Sequence, residues 1–254
     1  MEIRQLQRSL LQLLDKFNDI TQRNGINYSL HGGTLLGAIR EKGFIPWDDD
    51  VDIAMTREDY NKLRKYIDTD ESRYYLRGNI KVQFCDKENA NLWIDIFICD
   101  YISDNSQWRK VKLTLLTILD VMLRDKESMK YSDLDKYSKL KQLSYKLIYY
   151  IGKIFPASLK QRVYLYISKK LLTGDKRSYF RSNDQYIARK MIMPIEWMSK
   201  FIAVPFENGN YMVSKHYNEL LTLSYGSNFM TPIKDTRNSV IHEQIRNTEG
   251  GFKL

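Results

Sequence analysis

The segment Pro46-Trp47-Asp48-Asp49-Asp50-Val51-Asp52 packs four carboxylates into five residues and runs straight into the apolar Ile53-Ala54-Met55. Few folds accommodate that. If the stretch is extended, its period of two puts Asp48, Asp50 and Asp52 on one face. Val51 and Ile53 then point to the other, where a core would take them, and Asp49 points away from its neighbours. Three carboxylates on one face repel strongly in a low dielectric. A divalent cation relieves that repulsion, and hard oxygen ligands suit Mg²⁺ or Mn²⁺. The plain alternative is an acidic surface turn. A further carboxylate, Asp95, stands alone in the apolar run Trp93-Ile94-Asp95-Ile96-Phe97. An unpaired charge there is costly. A neighbouring strand would bring Asp95 beside Asp50 and Asp52; a salt-bridged or capping residue is the alternative.

Upstream, His31-Gly32-Gly33-Thr34 follows a short strand-like stretch, Tyr28–Leu30, and leads into a helical pattern over Thr34–Glu41. Two glycines between strand and helix let a ligand approach the backbone, and the amides of a helix start can hold a phosphate. Gly-Gly alone is a weak signal. A glycine turn, a helix and then Asp-x-Asp on the next strand is the layout of nucleotidyltransferase-fold enzymes. There the turn holds donor phosphates and the aspartates hold metals.

The surrounding pattern agrees with a small α/β (α+β) core. Ile3, Leu6, Leu10, Leu13, Leu14, Phe17 and Ile20 have helical spacing. Asp50–Met55 alternates as a strand, Thr56-Arg57-Glu58-Asp59 resembles a capping box for a helix to about Ile67, and Val82–Cys85 and Trp93–Ile98 read as two more strands. Residues 105–190 carry 20 Lys and Arg against seven Asp and Glu, with helical segments such as Val111–Leu123 and Leu143–Phe155. Farther on, Asn208-Gly209-Asn210 marks a turn or hairpin, and Val213–Leu223 a helix. The expected organisation is a nucleotidyltransferase-like core, 1–104, of a small mixed sheet flanked by helices; a basic helical insertion, 105–195; and a C-terminal segment, 196–254, that packs back on the core.

The charge of +9 is uneven: residues 1–100 sum to −3 and residues 101–254 to +12. A basic half suggests an anionic partner, whether nucleic acid, anionic lipid or a phosphate-rich polymer; a solvated basic surface is the plain alternative. Tyr149, Tyr150, Ile151 and Ile154 beside Lys146 and Lys153 suit an interfacial helix; a packed helical layer with a basic outer face is the alternative. Cys85 and Cys99 form no disulfide framework, which fits a reducing compartment. The first residues lack the apolar stretch of a signal peptide, and no apolar run approaches the roughly 20 residues of a membrane span. A cytoplasmic location is expected, with peripheral contact at the inner face of the cell membrane.

The residues from His31 to Arg40 (His-Gly-Gly-Thr-Leu-Leu-Gly-Ala-Ile-Arg), followed by Gly43-Phe44-Ile45-Pro46-Trp47-Asp48-Asp49-Asp50-Val51-Asp52-Ile53, strongly resemble the signature of the LicD family. Trp-Ile-Asp-Ile-Phe around Asp95 matches its next motif. Tyr225-Gly226, with Met230 and Pro232, is similar to its C-terminal region. The resemblance implies phosphotransfer from a CDP-activated donor to a glycan, with CMP as leaving group. Bacterial members typically move phosphocholine from CDP-choline onto teichoic acids, lipooligosaccharide or capsule, whereas the fukutin-type relatives move ribitol phosphate. It further implies that Asp48, Asp50, Asp52 and Asp95 bind metal, with Asp95 favoured as general base. Gly32, Gly33 and Thr34 would hold the donor phosphates, and Arg40 and Lys42 would reach them. Trp47 would stack on the base or a cationic head group, and His31 would hydrogen-bond in the pocket. Tyr225, Arg237 and His242 are weaker candidates with mainly structural roles.

Two rivals remain open. A nucleotidyltransferase acting on a small molecule or RNA would leave the nucleotide on the acceptor rather than free CMP. A non-enzymatic membrane or nucleic-acid binder would leave the acidic cluster without a purpose; nucleic acid is not the expected partner.

Overall fold

The computed structural model describes residues 3–69, 73–126 and 138–232. The expected candidates Arg237 and His242 lie outside them. Among the described residues there are seven α-helices, a mixed seven-stranded sheet and a separate two-stranded sheet. This is the expected α/β class.

Helix α1 (Ile3–Arg23) buries Leu6, Leu10, Leu13, Leu14 and Phe17, the apolar stripe of the sequence. Phe17 packs edge-on against Tyr28 and Phe84, with ring centroids 5.1 and 5.2 Å away. Strand β1 (Ser29–Leu30) leads into α2 (Gly32–Arg40), β2 (Asp52–Thr56) and α3 (Arg57–Thr69). Thr56 caps the helix as expected: the Asp59 amide donates to Thr56 Oγ1 at 3.1 Å, and the Thr56 hydroxyl in turn donates to Asp59 Oδ2 at 2.8 Å. Strands β3 (Tyr74–Arg77), β4 (Val82–Asp86) and the long β5 (Asn89–Ile102) complete the centre, in the order β1-β2-β5-β4-β3. β2 and β5 run parallel; the other pairs along this path are antiparallel. β5 alternates in burial, with Ile94, Ile96 and Ile98 inward and Trp93, Asp95 and Phe97 half-exposed. That alternation sets a carboxylate into an apolar strand without burying it.

Three helices follow: α4 (Ser106–Leu123), α5 (Lys139–Ile154) and α6 (Ala157–Lys170). Asn105 caps α4 by accepting from the amides of Gln107 and Trp108. Beyond them come β6 (Ser178–Arg181), β7 (Met193–Pro194), the hairpin β8 (Phe201–Phe206) and β9 (Gly209–Ser214), and α7 (Tyr217–Tyr225). The last helix starts later than its expected Val213, because Val213 and Ser214 are paired in β9 with Ile202 and Phe201. β3 was not anticipated from the sequence.

The chain divides into two compact units, residues 1–99 with 181–254, and residues 100–180. Residues 181–195, expected within the insertion, therefore belong to the first unit. Hydrogen bonds hold them there: the Ser182 amide donates to the Ile98 carbonyl, and Asn183 exchanges bonds with the backbone of Ile96 and Ile98. In the second unit two lysines are buried. Lys112 donates to the carbonyls of Tyr101 and Ser168, and Lys160 to those of Met122 and Gly152. Both thiols are free and buried. No helix among the described residues is long and apolar enough to cross a membrane.

Candidate active site

The first turn of α2 faces the acidic loop. A Cβ on Gly32 would lie 2.6 Å from Asp52 Oδ2, and a Cβ on Gly33 would lie 2.6 Å from Asp48 Oδ2. Any side chain at either position would occupy the place of a carboxylate oxygen. Gly32 also sits at φ +56, a conformation that favours glycine. The two glycines, expected to hold donor phosphates, admit the Asp52 and Asp48 carboxylates to the helix N-terminus, where partial positive charge favours anions.

Backbone bonds fix this arrangement. The His31 amide donates to the Asp52 carbonyl at 2.9 Å, and the Asp52 amide donates to Thr34 Oγ1 at 2.9 Å. Thr34 thus positions a site residue through the backbone. From α1, the buried Gln7 amide group donates to the carbonyls of Ile45 and Asp48 at 3.1 and 2.8 Å, pinning the loop. The Asp48 amide closes the turn on the Ile45 carbonyl.

β2 begins only at Asp52, so Asp48–Val51 lies outside any strand. Burial still alternates with the period of two: Asp48, Asp50 and Asp52 are half-buried, while Asp49, Val51 and Ile53 are buried. Asp48, Asp49 and Asp50 each present a ligand atom within 4.8 Å of the others, so Asp49 stays close to the cluster although it is more deeply buried.

Asp95 reaches the site by strand register. β2 and β5 pair Asp52 with Asp95, on strands about 4.8 Å apart. Its carboxylate accepts from Gln83 Nε2 at 2.9 Å and from Trp93 Nε1 at 3.0 Å. Gln83 stands opposite Asp95 in the β4–β5 ladder, and Trp93 lies two residues before it on the same face. Two neutral donors orient the carboxylate.

His31 is buried against Phe97, with ring centroids 5.0 Å apart. Burial, and then the nearby Arg181 guanidinium, hold its imidazole well below the usual histidine range, so it is neutral in working conditions. Arg181 is itself buried, paired with Asp184 at 2.7 Å, and its Nη1 has no hydrogen-bond partner among the described residues. Tyr225, at the end of α7, feels the same charges. Desolvation of its phenol, then Asp52, Asp48 and Asp50, push it well above the usual tyrosine range, and Arg181 opposes them. Helix α7 therefore carries a protonated phenol within electrostatic reach of the aspartates, although the residue is 46% exposed.

Arg40 and Lys42 are placed elsewhere. α2 spans nine residues, so Arg40 lies about 12 Å along the axis from the glycines at ~1.5 Å per residue. Arg40 pairs with Glu41 at 2.7 Å and donates to the Phe229 carbonyl; Lys42 donates to the Ile39 carbonyl. Both are used at the C-terminal end of α2. Trp47 is half-buried in the loop just before Asp48.

The donor chemistry here is of the kind that would suit a hard divalent ion. The carboxylate oxygens of Asp48, Asp49 and Asp50 converge, and Asp52 shares the α2 turn with Asp48. An all-oxygen donor set of this kind suits Mg²⁺ or Mn²⁺.

Comparison with known proteins follows the same residues. Residues 25–138 match the family described as LicD/FKTN/FKRP, nucleotidyltransferase domain. Over 91% of its length the chain is 29% identical to the lipopolysaccharide cholinephosphotransferase LicD of Haemophilus influenzae, covering 93% of that protein. It is 42% identical over 59 residues to an uncharacterized protein of Rickettsia prowazekii, covering 22% of it. It is also 48% identical over 40 residues to the human ribitol 5-phosphate transferase FKRP, which is 16% of this chain and 8% of that protein. The glycine turn, the acidic loop and Asp95 all fall inside the stretch, residues 25–138, that is similar to the LicD/FKTN/FKRP nucleotidyltransferase domain.

Proposed function

We propose that this protein is a metal-dependent phosphotransferase that moves phosphocholine from CDP-choline to a hydroxyl of a cell-surface glycan and releases CMP. The observation that carries this reading is the seating of the Asp48 and Asp52 carboxylates against Gly33 and Gly32, within a stretch that matches the LicD family. Similarity along nearly the whole chain to a lipopolysaccharide cholinephosphotransferase supports choline and a lipid-linked acceptor.

Asp48, Asp50 and Asp52 would hold the ion, with Asp49 close by and Asp95 completing the site from the neighbouring strand. A divalent ion bound there supplies charge neutralisation on the donor phosphates and on the departing CMP. The chain's own residues do the rest. Gln83 and Trp93 aim Asp95, which takes the proton of the acceptor hydroxyl. The acceptor oxygen bonds to the phosphorus of phosphocholine as the bridging P–O bond to CMP breaks, and the electron pair leaves on the CMP phosphate. His31, neutral and buried, adds no competing charge. The Tyr225 phenol, protonated beside the aspartates, donates a hydrogen bond to a phosphate oxygen.

The test is CMP release by purified protein with Mg²⁺, lipooligosaccharide acceptor and a panel of CDP-choline, CDP-ribitol and CDP-glycerol. CDP-choline is expected to be used and phosphocholine to appear on the glycan. Absence of CMP release with every donor, or an Asp50→Asn protein as active as wild type, sinks the reading. A nucleotide found attached to the acceptor would point to nucleotidyl transfer instead. The short FKRP match favours ribitol phosphate as the second reading, and the same panel separates the two.

A further inference from the structure

The helical unit, residues 100–180, holds 17 Lys and Arg against eight Asp and Glu, and between Lys139 and Lys170 it holds eight cations and no acid. Within that stretch α5 is turned against the usual rule for a packed helix. Its close-packed side is marked by Gly152, where a Cβ would come within 2.6 Å of the Met122 backbone of α4. At 100° per residue, Leu140, Leu143, Leu147, Tyr150, Ile151 and Ile154 fall in an arc about 100° wide on nearly the opposite side. They are 79, 64, 60, 67, 41 and 76% exposed. Lys139, Lys146 and Lys153 line one margin of the stripe, and all three are exposed. On α6, Leu159, Val163 and Tyr166 add a second exposed apolar row at helical spacing.

A continuous aliphatic stripe of this length facing water marks an interaction surface. Its chemistry selects the occupant. Nucleic acid would satisfy the lysines but offers nothing to leucine and isoleucine side chains. A second copy of the chain would bring eight cations against eight cations with no acid to meet them, an arrangement that repels. A bilayer rich in anionic phospholipid takes both: acyl chains receive the stripe while phosphate head groups meet the basic margin. We infer that the exposed face of α5 is a peripheral docking surface for anionic phospholipid membranes, with the leucine–isoleucine stripe inserted at the interface and the lysines at head-group level. The inference stands on the helical unit alone and holds whatever reaction the other unit performs.

Flotation of the full chain with vesicles tests it. Binding to phosphatidylcholine vesicles containing phosphatidylglycerol, and none to phosphatidylcholine alone, is expected. Leu143→Asp with Leu147→Asp should weaken binding by about tenfold or more, and Lys139→Gln with Lys146→Gln should weaken it and flatten its salt dependence. All four residues are exposed, so the fold should tolerate these changes, with circular dichroism as the check. A Tyr150→Trp protein supplies a direct reading: its emission should shift to the blue on the anionic vesicles. Wild type left unbound by anionic vesicles, an aspartate variant that floats as well as wild type, or an unshifted tryptophan would overturn the inference. So would a dimer in sedimentation that the aspartate variant dissolves, which would assign the face to a second copy.

Discussion

Replacing Gly33 by alanine should cripple the reaction while leaving the fold nearly intact. The new Cβ would meet Asp48 Oδ2 at 2.6 Å, where ordinary contact is 3.4 Å or more. The carboxylate must therefore retreat by about 0.8 Å. That retreat is structurally cheap, because the obstacle is the far end of a side chain and the helical backbone at Gly33 suits alanine, so a change within about 1 kcal/mol is expected. It is catalytically expensive, since a misplacement near 1 Å costs on the order of a hundredfold in rate. Two companion glycines make the reasoning separable. Gly25 has φ +60 and nothing within 4 Å of its would-be Cβ; alanine there should lose about 1–2 kcal/mol with activity unchanged. Gly32 combines φ +56 with the 2.6 Å approach to Asp52, so its alanine variant should lose both stability and activity. Thermal unfolding, CMP release and Mg²⁺ titration by calorimetry would be measured on all three. A Gly33→Ala protein with wild-type kcat/KM and wild-type metal affinity would refute the idea that this turn seats Asp48.

Other substitutions test other links. Thr34→Val removes the acceptor for the Asp52 amide; a loss of about 1 kcal/mol in unfolding free energy should accompany weaker Mg²⁺ binding, read by calorimetry. Trp93→Phe keeps the ring but deletes the donor to Asp95; kcat should fall with the CDP-choline KM little changed, and the loss should show in CMP release as the carboxylate loses one of its two orienting donors. Gly152→Ala would force Cβ onto the Met122 backbone at 2.6 Å; unfolding of the helical unit should be eased by roughly 1–3 kcal/mol, detected by urea denaturation. Burial lowers Lys112 from its ordinary 10.5 to about 8. Between those values the unfolded chain binds the proton and the folded chain does not, so stability rises with pH across that window and the penalty is complete below it. Relative to Lys112→Met, wild type should gain on the order of 3 kcal/mol between pH 8 and 10.5, and parallel pH curves for the two proteins would contradict this.

What was legible in the sequence was whatever repeats locally. The α1 stripe, the capping box at Thr56 and the alternating β5 each announce themselves within a few residues. Strand β3 does not, because all four of its residues are half-buried and show no alternation. The site divides the same way. Trp93 could have been found, since it precedes Asp95 by two on the same strand face. Gln83 could not, because its place opposite Asp95 depends on a ladder register that neither strand encodes alone. Gln7, which acts 41 residues away on the Asp48 carbonyl, and Arg181, whose charge reaches His31, needed the fold. Asp49 is the most instructive case. A period of two sets it apart from Asp48, Asp50 and Asp52, and burial follows that period: Asp49 is buried with Val51 and Ile53, while the other three are half-buried. The sequence does not show that Asp48, Asp49 and Asp50 nonetheless present ligand atoms within 4.8 Å of one another, because their spacing depends on a loop that Gln7 and the Ile45 turn pin from outside it. The glycines opposite then provide the room that the Asp48 and Asp52 carboxylates require.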